Sequence, residues 1–439
     1  MRNSRLFLVL VPSAAALLSA GGFFAACSDD DAAGPAPVDG GGSDTSLADG
    51  GKTTDEASTD SGPQPLVVCD KEPCAVRLAG GSDHACALMS DKTVRCWGAN
   101  YYRQSGQANG DTVLAPVAVP GLANVKEVTA GWTHTCALTE AGDVTCWGES
   151  EEGALSDPTD GGPQSAQIAV KLPSKATHIV AGGFHQCAEL DTGAIYCWGQ
   201  NNVGQSGAPA GLDAGLGKVL TPTLTPLVPG AEWDVGARFA CSRFTDGGMS
   251  CFGSNFSGEL GRGIDAGQLA YDEKTGPVVG LPSSTVAKLG RSRAYGEAIV
   301  LDGKVYSWGV NEVGEALPTS QAKAIITPAL IQGITDATEV GVGNFFACAL
   351  HKTGTVSCWG HSQHSVTGLS QDAGAYTPPS PITGTENSVQ LAVGWAEFAC
   401  VLKKNGTVAC WGSNLVGELG RGETATATPI SPIAKPVVF

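Results

Sequence analysis

The chain has 439 residues, 42% hydrophobic and 16% charged, which is apolar enough to exclude global disorder. Its formal net charge of −17 repels phosphate backbones and excludes nucleic acid as the expected partner. With 60 glycines and 25 prolines the chain must turn often, which favours many short strands over long helices.

The first element is an address. Arg2 and Arg5 precede an apolar stretch from Leu6 to Leu18, and small residues then lead to Phe24-Ala25-Ala26-Cys27. This reads as a secretory signal, too short for a comfortable transmembrane helix. Its last four residues resemble a bacterial lipobox, with Phe24 where Leu is usual. The resemblance implies a lipoprotein signal peptide over residues 1–26 and acylation of the Cys27 thiol; the competing reading is ordinary signal cleavage. Acyl chains anchor by apolar burial at about 0.8 kcal/mol per CH₂.

Residues 27–65 are then the lipidated Cys27 and an acidic tether. Residues 28–65 hold nine acids against Lys52 and almost no aliphatic side chain. Such a segment cannot bury enough surface to offset its ordering entropy, so it is expected to be disordered, with a span of roughly 30–37 Å. Ser28 is compatible with outer-membrane sorting. The expected location is the cell envelope, lipid-anchored at the outer membrane or cell surface.

Residues 66–439 repeat one pattern, clearest in AGWTHTCALTEAGDVTCWGES from Ala130 and VGNFFACALHKTGTVSCWGHS from Val342. An aromatic residue before Gly recurs at Trp97, Trp147, Trp198, Phe252, Trp308, Trp359 and Trp411, so the period is 50–56 residues. A period near 50 rich in Gly and β-formers reads as propeller blades. In the second copy, strands around Leu138 and Val144 flank a turn containing Gly142, with Leu138 opposite Val144 and Cys136 opposite Cys146. One strand precedes this hairpin (Lys126 to Ala130) and a Pro-bounded one follows the Trp-Gly (Pro116 to Pro120 in the first copy), making four per blade. The expected fold is an all-β, seven-bladed propeller. The tail 431–438 reads as a surplus strand, expected to complete the first blade and remove open edges.

Gly-x-Asn-x-x-Gly-Glu-Leu-Gly-x-Gly stands at Gly253 to Gly263 and at Gly412 to Gly422. With Ala-Gly-x-x-His-x-Cys-Ala-Leu and Val-x-Cys-Trp-Gly, it resembles the regulator of chromosome condensation repeat over about residues 75–439. The resemblance implies a seven-bladed propeller and, as one functional alternative, guanine-nucleotide exchange on a small GTPase.

Fifteen cysteines in an exported chain read as disulfides. Six pairs stand ten apart: Cys86–Cys96, Cys136–Cys146, Cys187–Cys197, Cys241–Cys251, Cys348–Cys358 and Cys400–Cys410. The fifth copy has Glu297 and Ser307 at the equivalent positions. Pairing between blades would orphan cysteines beside that copy, whereas pairing within hairpins orphans none. Each closed loop of about eleven residues contributes roughly 2.5–3 kcal/mol on the chain-entropy model. Cys69 and Cys74 are left to pair with each other. No short C-x₂-C spacing of a structural zinc site occurs, and neither metal nor cofactor is expected.

Two residues before the first Cys of each copy, or its equivalent, come His84, His134, His185, Phe239, Tyr295, Phe346 and Phe398. Four hydrocarbon rings among them mark a packed position rather than a metal site. Glu259 and Glu418 read as turn residues. The loop joining the first two strands of each copy is more variable. It carries Ser82 and Asp83, Trp132, Phe184, Arg238, Arg291 with Arg293, Phe345, and Trp395. Aromatics and arginines are enriched at binding hot spots, and loops on a rigid frame commonly carry function.

Phosphate-loop, H-E-x-x-H and G-x-S-x-G signatures are absent from the sequence, so no catalytic residue is assigned. The expected function is a non-catalytic cell-surface module that recognises an extracytoplasmic protein or glycan. The alternatives are nucleotide exchange, and a propeller enzyme acting on surface polymers.

Overall fold

The computed structural model describes residues 67–439 apart from 158–161, 209–216, 229–231, 264–268, 283–286, 293–295, 424–426 and 428. The signal, Cys27 and tether expectations lie outside the described residues. The described part is a seven-bladed propeller of antiparallel four-stranded sheets, each ordered a-b-c-d from the centre outward, with the short parallel strand Arg291–Ser292 added to the inner edge of blade 6. Blade 2 shows the pattern: a is Val125–Ala130, b His134–Thr139, c Val144–Gly148 and d Gln164–Ala169. The expected pairs Leu138 with Val144 and Cys136 with Cys146 are both in register. Antiparallel order puts the a–b and c–d loops on one face and the b–c turns on the other.

The tail is not a surplus strand. Ile430–Pro436 is strand d of blade 7, pairing Ser413 with Ile430 and Ala409 with Pro436. Blade 1 has its own strand d, Val113–Ala118, paired to Val94–Gly98. Every copy, the first included, carries an outer strand after its Trp-Gly, so no place is left for the tail in blade 1. Pro116 is tolerated in strand d because only one edge of that strand is paired.

The ring closes through side chains and the entering segment. Seven buried clusters form the core, and each joins two neighbouring blades, including blade 7 to blade 1. The repeat tryptophans are fully buried there, and each indole Nε1 donates to a carbonyl of the preceding blade. Trp147 donates to Gln104 O at 3.0 Å, and Trp97 closes the circle on Glu418 O at 2.8 Å. Phe252 in blade 4 fills the same place without a donor. The incoming segment then straps blade 7: Val68 N–H donates to Lys404 O at 2.8 Å and Asp70 N–H to Asn405 O at 3.3 Å.

The six expected hairpin cysteine pairs are bonded, with Cα atoms 4.0–4.1 Å apart, and Cys69–Cys74 is bonded at 5.7 Å. Blade 5 departs from the sequence alignment. Ala298, not Glu297, faces Ser307, because Leu301 pairs with Lys304 around a two-residue Asp302-Gly303 turn. Asp302 at φ 51° and Gly303 at φ 80° give the left-handed pair such a turn needs. The hairpin is one residue shorter, so Gly296 takes the register of the ring residue; Tyr295, expected there, lies outside the described residues.

The inner strands carry a second pattern. One register position holds Arg77, Glu127, His178, Glu232, Lys288, Glu339 and Gln390 in blades 1 to 7. The acids in even blades accept the main-chain N–H of the next blade, at Ile179, Leu289 and Leu391. Gln390 does the same for Leu78 N–H at 2.9 Å and donates to Leu78 O at 3.1 Å. An odd ring cannot alternate charge throughout, and a neutral residue stands where the alternation breaks. Burial would push the Glu127 pKa up. His178 at 2.8 Å, Arg77 at 3.3 Å and the Ile179 N–H outweigh it and hold the pKa at about 2.

Candidate functional site

The a–b loops converge on the mouth of the central channel. In blades 1–4, 6 and 7 each opens on a glycine, and the reason is local: a Cβ on Gly131 would overlap the His134 ring packed beneath it. The rings of His84, His134, His185, Phe239, Phe346 and Phe398 are all buried at this position. His84 Nε2 meets Thr135 Oγ1 at 2.9 Å. Burial and the neighbouring His134 push the His185 pKa down to about 3. These imidazoles belong to the packing of the frame.

Six of the loops are linked in an arc by main-chain hydrogen bonds. Asn344 N–H donates to Trp395 O, Trp395 to Gly81 O, Ser82 to Trp132 O, Trp132 to Gly183 O and Gly183 to Ala237 O, at 2.8–3.3 Å. The loop frame is therefore held in place as a unit across blades 6, 7, 1, 2, 3 and 4. Trp132 and Trp395 occupy equivalent places on blades 2 and 7, and between them blade 1 has Ser82. Because Ser82 is small and buried, the two indoles reach across it: their centroids are 5.3 Å apart, tilted 48°. Phe184 stands edge-on to Trp132 at 5.0 Å, and Trp395 leans on the cluster between blades 5 and 6. Three of the expected binding residues thus form one half-buried aromatic plug.

The others are dispersed. Phe345 stands edge-on to His361 at 6.3 Å on blade 6. Arg238 is half-buried on blade 4. The main chain of Arg291 forms a short parallel pair with Gly341 on the inner edge of blade 6. Arg293 lies outside the described residues.

Acids complete the site. Asp83 follows Ser82, whose hydroxyl donates to Oδ2 at 2.5 Å; burial raises the Asp83 pKa against that bond. Glu397 is buried in left-handed backbone at φ 61°. It meets His364 Nδ1 through Oε2 and lies 3.7 Å from His361 Nδ1 through Oε1.

Sequence reasoning passed over the c–d loops, which share this face. Their bases donate to the a–b loops, Ala99 N–H to Asp83 O at 2.7 Å and Ser413 N–H to Glu397 O at 3.0 Å. Tyr101 (55% exposed), Tyr102 (42%), Phe256 (54%) and Leu415 (52%) stand on them. The signal was present: Tyr101, Phe256 and Leu415 each follow the Asn of the Gly-x-Asn motif, where an apolar residue serves no turn. The segment entering at residue 67 lies against the b–c turn of blade 7, on the opposite face.

A model of the regulator of chromosome condensation (RCC1) repeat matches residues 75–104, 125–154, 176–205, 337–365 and 389–418, and a second matches 93–138. The chain is 26% identical over 349 residues to the human E3 ubiquitin-protein ligase HERC2, covering 76% of this chain and 7% of the ligase. It is 25% identical over 362 residues to the Arabidopsis thaliana ultraviolet-B receptor UVR8, covering 79% of each. The same identity over 355 residues relates it to the bovine secretion-regulating guanine nucleotide exchange factor, 74% of each. Among solved structures, Prp20p of Saccharomyces cerevisiae superposes with a TM-score of 0.67 at 17% identity, over 85% of this chain and 88% of Prp20p.

Proposed function

We propose that this chain, a seven-bladed propeller of RCC1 repeats, is a non-catalytic binding module of the cell envelope that recognises a protein through its central loop face. The observation that carries the reading is the Trp132–Trp395–Phe184 plug. Large aromatics half-exposed on a rigid frame, ringed by apolar residues, have the make-up of an interface hot spot. In this reading the segment that follows the tether enters on the b–c face of blade 7, opposite the loop face. A surface glycan is the second ligand class that such clustered aromatics accommodate.

The test is a pull-down from surface extracts with wild type, Trp132→Ala and Trp395→Ala. Loss of the same retained protein in both variants is expected. Retention by both would remove the face from consideration. The likeness to an exchange factor favours a second reading, nucleotide exchange, in which the chain would accelerate nucleotide release from a small GTPase. Export and the net charge of −17 weigh against it.

A further inference from the structure

We propose that the Cys69–Cys74 bond is a site of thiol–disulfide exchange, a latch that a dithiol reductant opens to free the entering strap from the seam between blades 7 and 1. The proposal is independent of the loop-face reading, because the strap lies against a b–c turn on the opposite face.

Access separates this bond from the other six. The twelve hairpin cysteines are 0–1% exposed, and every hairpin pair sits inside one of the clusters that join neighbouring blades. A nucleophile reaches such a sulfur only after a seam opens. Cys69 and Cys74 lie outside the paired strands, ahead of Ala75–Gly80. Cys69 is half-buried, and Asp70, Lys71, Glu72 and Pro73 of the closed loop are exposed. On the Cys74 side a cavity of about 330 Å³ runs between residues 70–75 and the blade 7 turn at 405–408. Lys71 and Arg95 line it together with Asp70 and Glu72, so access rather than net charge selects the bond. Cys74 is 7% exposed, and its Sγ lies under Gly406, where an added Cβ would come within 2.2 Å. Cys69 Sγ is therefore the sulfur open to attack.

The bond joins two docked ends. On blade 7, Val68 and Asp70 N–H donate to Lys404 O and Asn405 O, Asn405 Nδ2 donates to Asp70 Oδ2 at 2.8 Å, and Val67 packs against the cluster between blades 7 and 1. On blade 1, Ser90 N–H donates to Cys74 O at 2.8 Å and Cys74 N–H to Ser90 Oγ at 3.2 Å. The disulfide thus ties the strap on blade 7 directly to the start of blade 1. Without it the exposed residues 70–73 are no longer closed into a loop, and the few bonds at Val68 and Asp70 must hold the strap against its regained chain entropy.

The exchange is balanced as written. One thiolate of the dithiol attacks Cys69 Sγ in line with the S–S bond and forms a mixed disulfide, while the bonding pair leaves on Cys74 Sγ, which takes up a proton. The second thiolate of the reductant then attacks its own first sulfur and releases Cys69 as a thiolate, which is protonated in turn. The protein gains two electrons and two protons, and the dithiol ends as its own disulfide.

The probe is dithiothreitol, titrated against the oxidised full chain, with N-ethylmaleimide quenching and peptide mass spectrometry to place each label. Cys69 and Cys74 are expected to be labelled on the order of tenfold faster than any hairpin cysteine. Amide exchange over residues 67–74 should rise in step with that labelling, while exchange in the seven hairpins stays slow. Cys69→Ser with Cys74→Ser should show the fast exchange without reductant and no further change with it, thermal unfolding confirming that the ring is folded. Labelling of a hairpin pair first, or at the same rate, overturns the exchange site. Selective reduction that leaves exchange at Val68 and Asp70 unchanged overturns the latch, as does slow exchange there in the double serine variant.

Discussion

Blades 2 and 5 are copies of one repeat that make their hairpins differently. Blade 2 has the Cys136–Cys146 bond, the buried His134 ring and five residues between Leu138 and Val144. Blade 5 has Ala298 facing Ser307, Gly296 in the ring register, and the tighter Asp302-Gly303 turn. Yet Trp308 is as buried as Trp147 and locks onto the preceding blade in the same way, at 2.9 Å against 3.0 Å. What the ring requires of every blade is the aromatic between blades; the staple inside a blade is dispensable where the seams on both sides are complete.

The sharpest test removes the feature the two blades share. Trp147→Ala and Trp308→Ala should each cost about 3–5 kcal/mol in denaturant unfolding, since both leave large cavities between blades. A much smaller loss for Trp308→Ala would mean that blade 5 contributes little to the ring. Next in size is the feature that separates them. Cys136→Ala with Cys146→Ala should cost roughly 2–4 kcal/mol while leaving the circular-dichroism spectrum of the fold intact. Amide exchange should show the loss confined to blade 2 and its neighbours.

The register of blade 5 sets up the reverse experiment. Ala298→Cys with Ser307→Cys should oxidise spontaneously and raise stability by up to about 2–3 kcal/mol, with thiol titration showing no free pair. Glu297→Cys with Ser307→Cys, the pair that the sequence spacing points to, should stay reduced; a bond forming there would contradict the register. The smallest expected effect concerns the ring position, filled by His185 in blade 3. A base whose folded pKa is about 3 stabilises the fold fully above its ordinary value of 6.5 and progressively less as pH falls toward 3. His185→Phe, the ring used by blades 4, 6 and 7, should therefore flatten the fall in Tm across that acid range. An unchanged acid profile would assign the fall to other groups, such as Glu127, whose contribution disappears between 4.5 and about 2.

Much of the frame is legible in the sequence. Blade number, strand order, six hairpin cysteine pairs and the buried aromatic positions all follow from local periodicity, because each copy repeats the same chain-neighbour contacts. Reading failed where a count or a single residue shifted the register. The tail is the outer strand of blade 7 and no surplus, and blade 5 lies one residue out of the cysteine spacing, with Ala298 in place of Glu297 facing Ser307. The loop face was half legible: residue type pointed to Trp132, Phe184 and Trp395, but nothing local said that Arg291 pairs along blade 6 or that Tyr101 and Leu415 share the face.

Contacts between residues near in the chain, the hairpins, their staples and the glycine-led turns, are thus determined by the sequence itself. The meeting of Trp132 with Trp395 across Ser82 and the neutral Gln390 in the inner ring, bonded to Leu78, were decided only by closure. They join residues from different blades, often first to last, and the geometry that brings them together exists only once seven seams have packed into a circle.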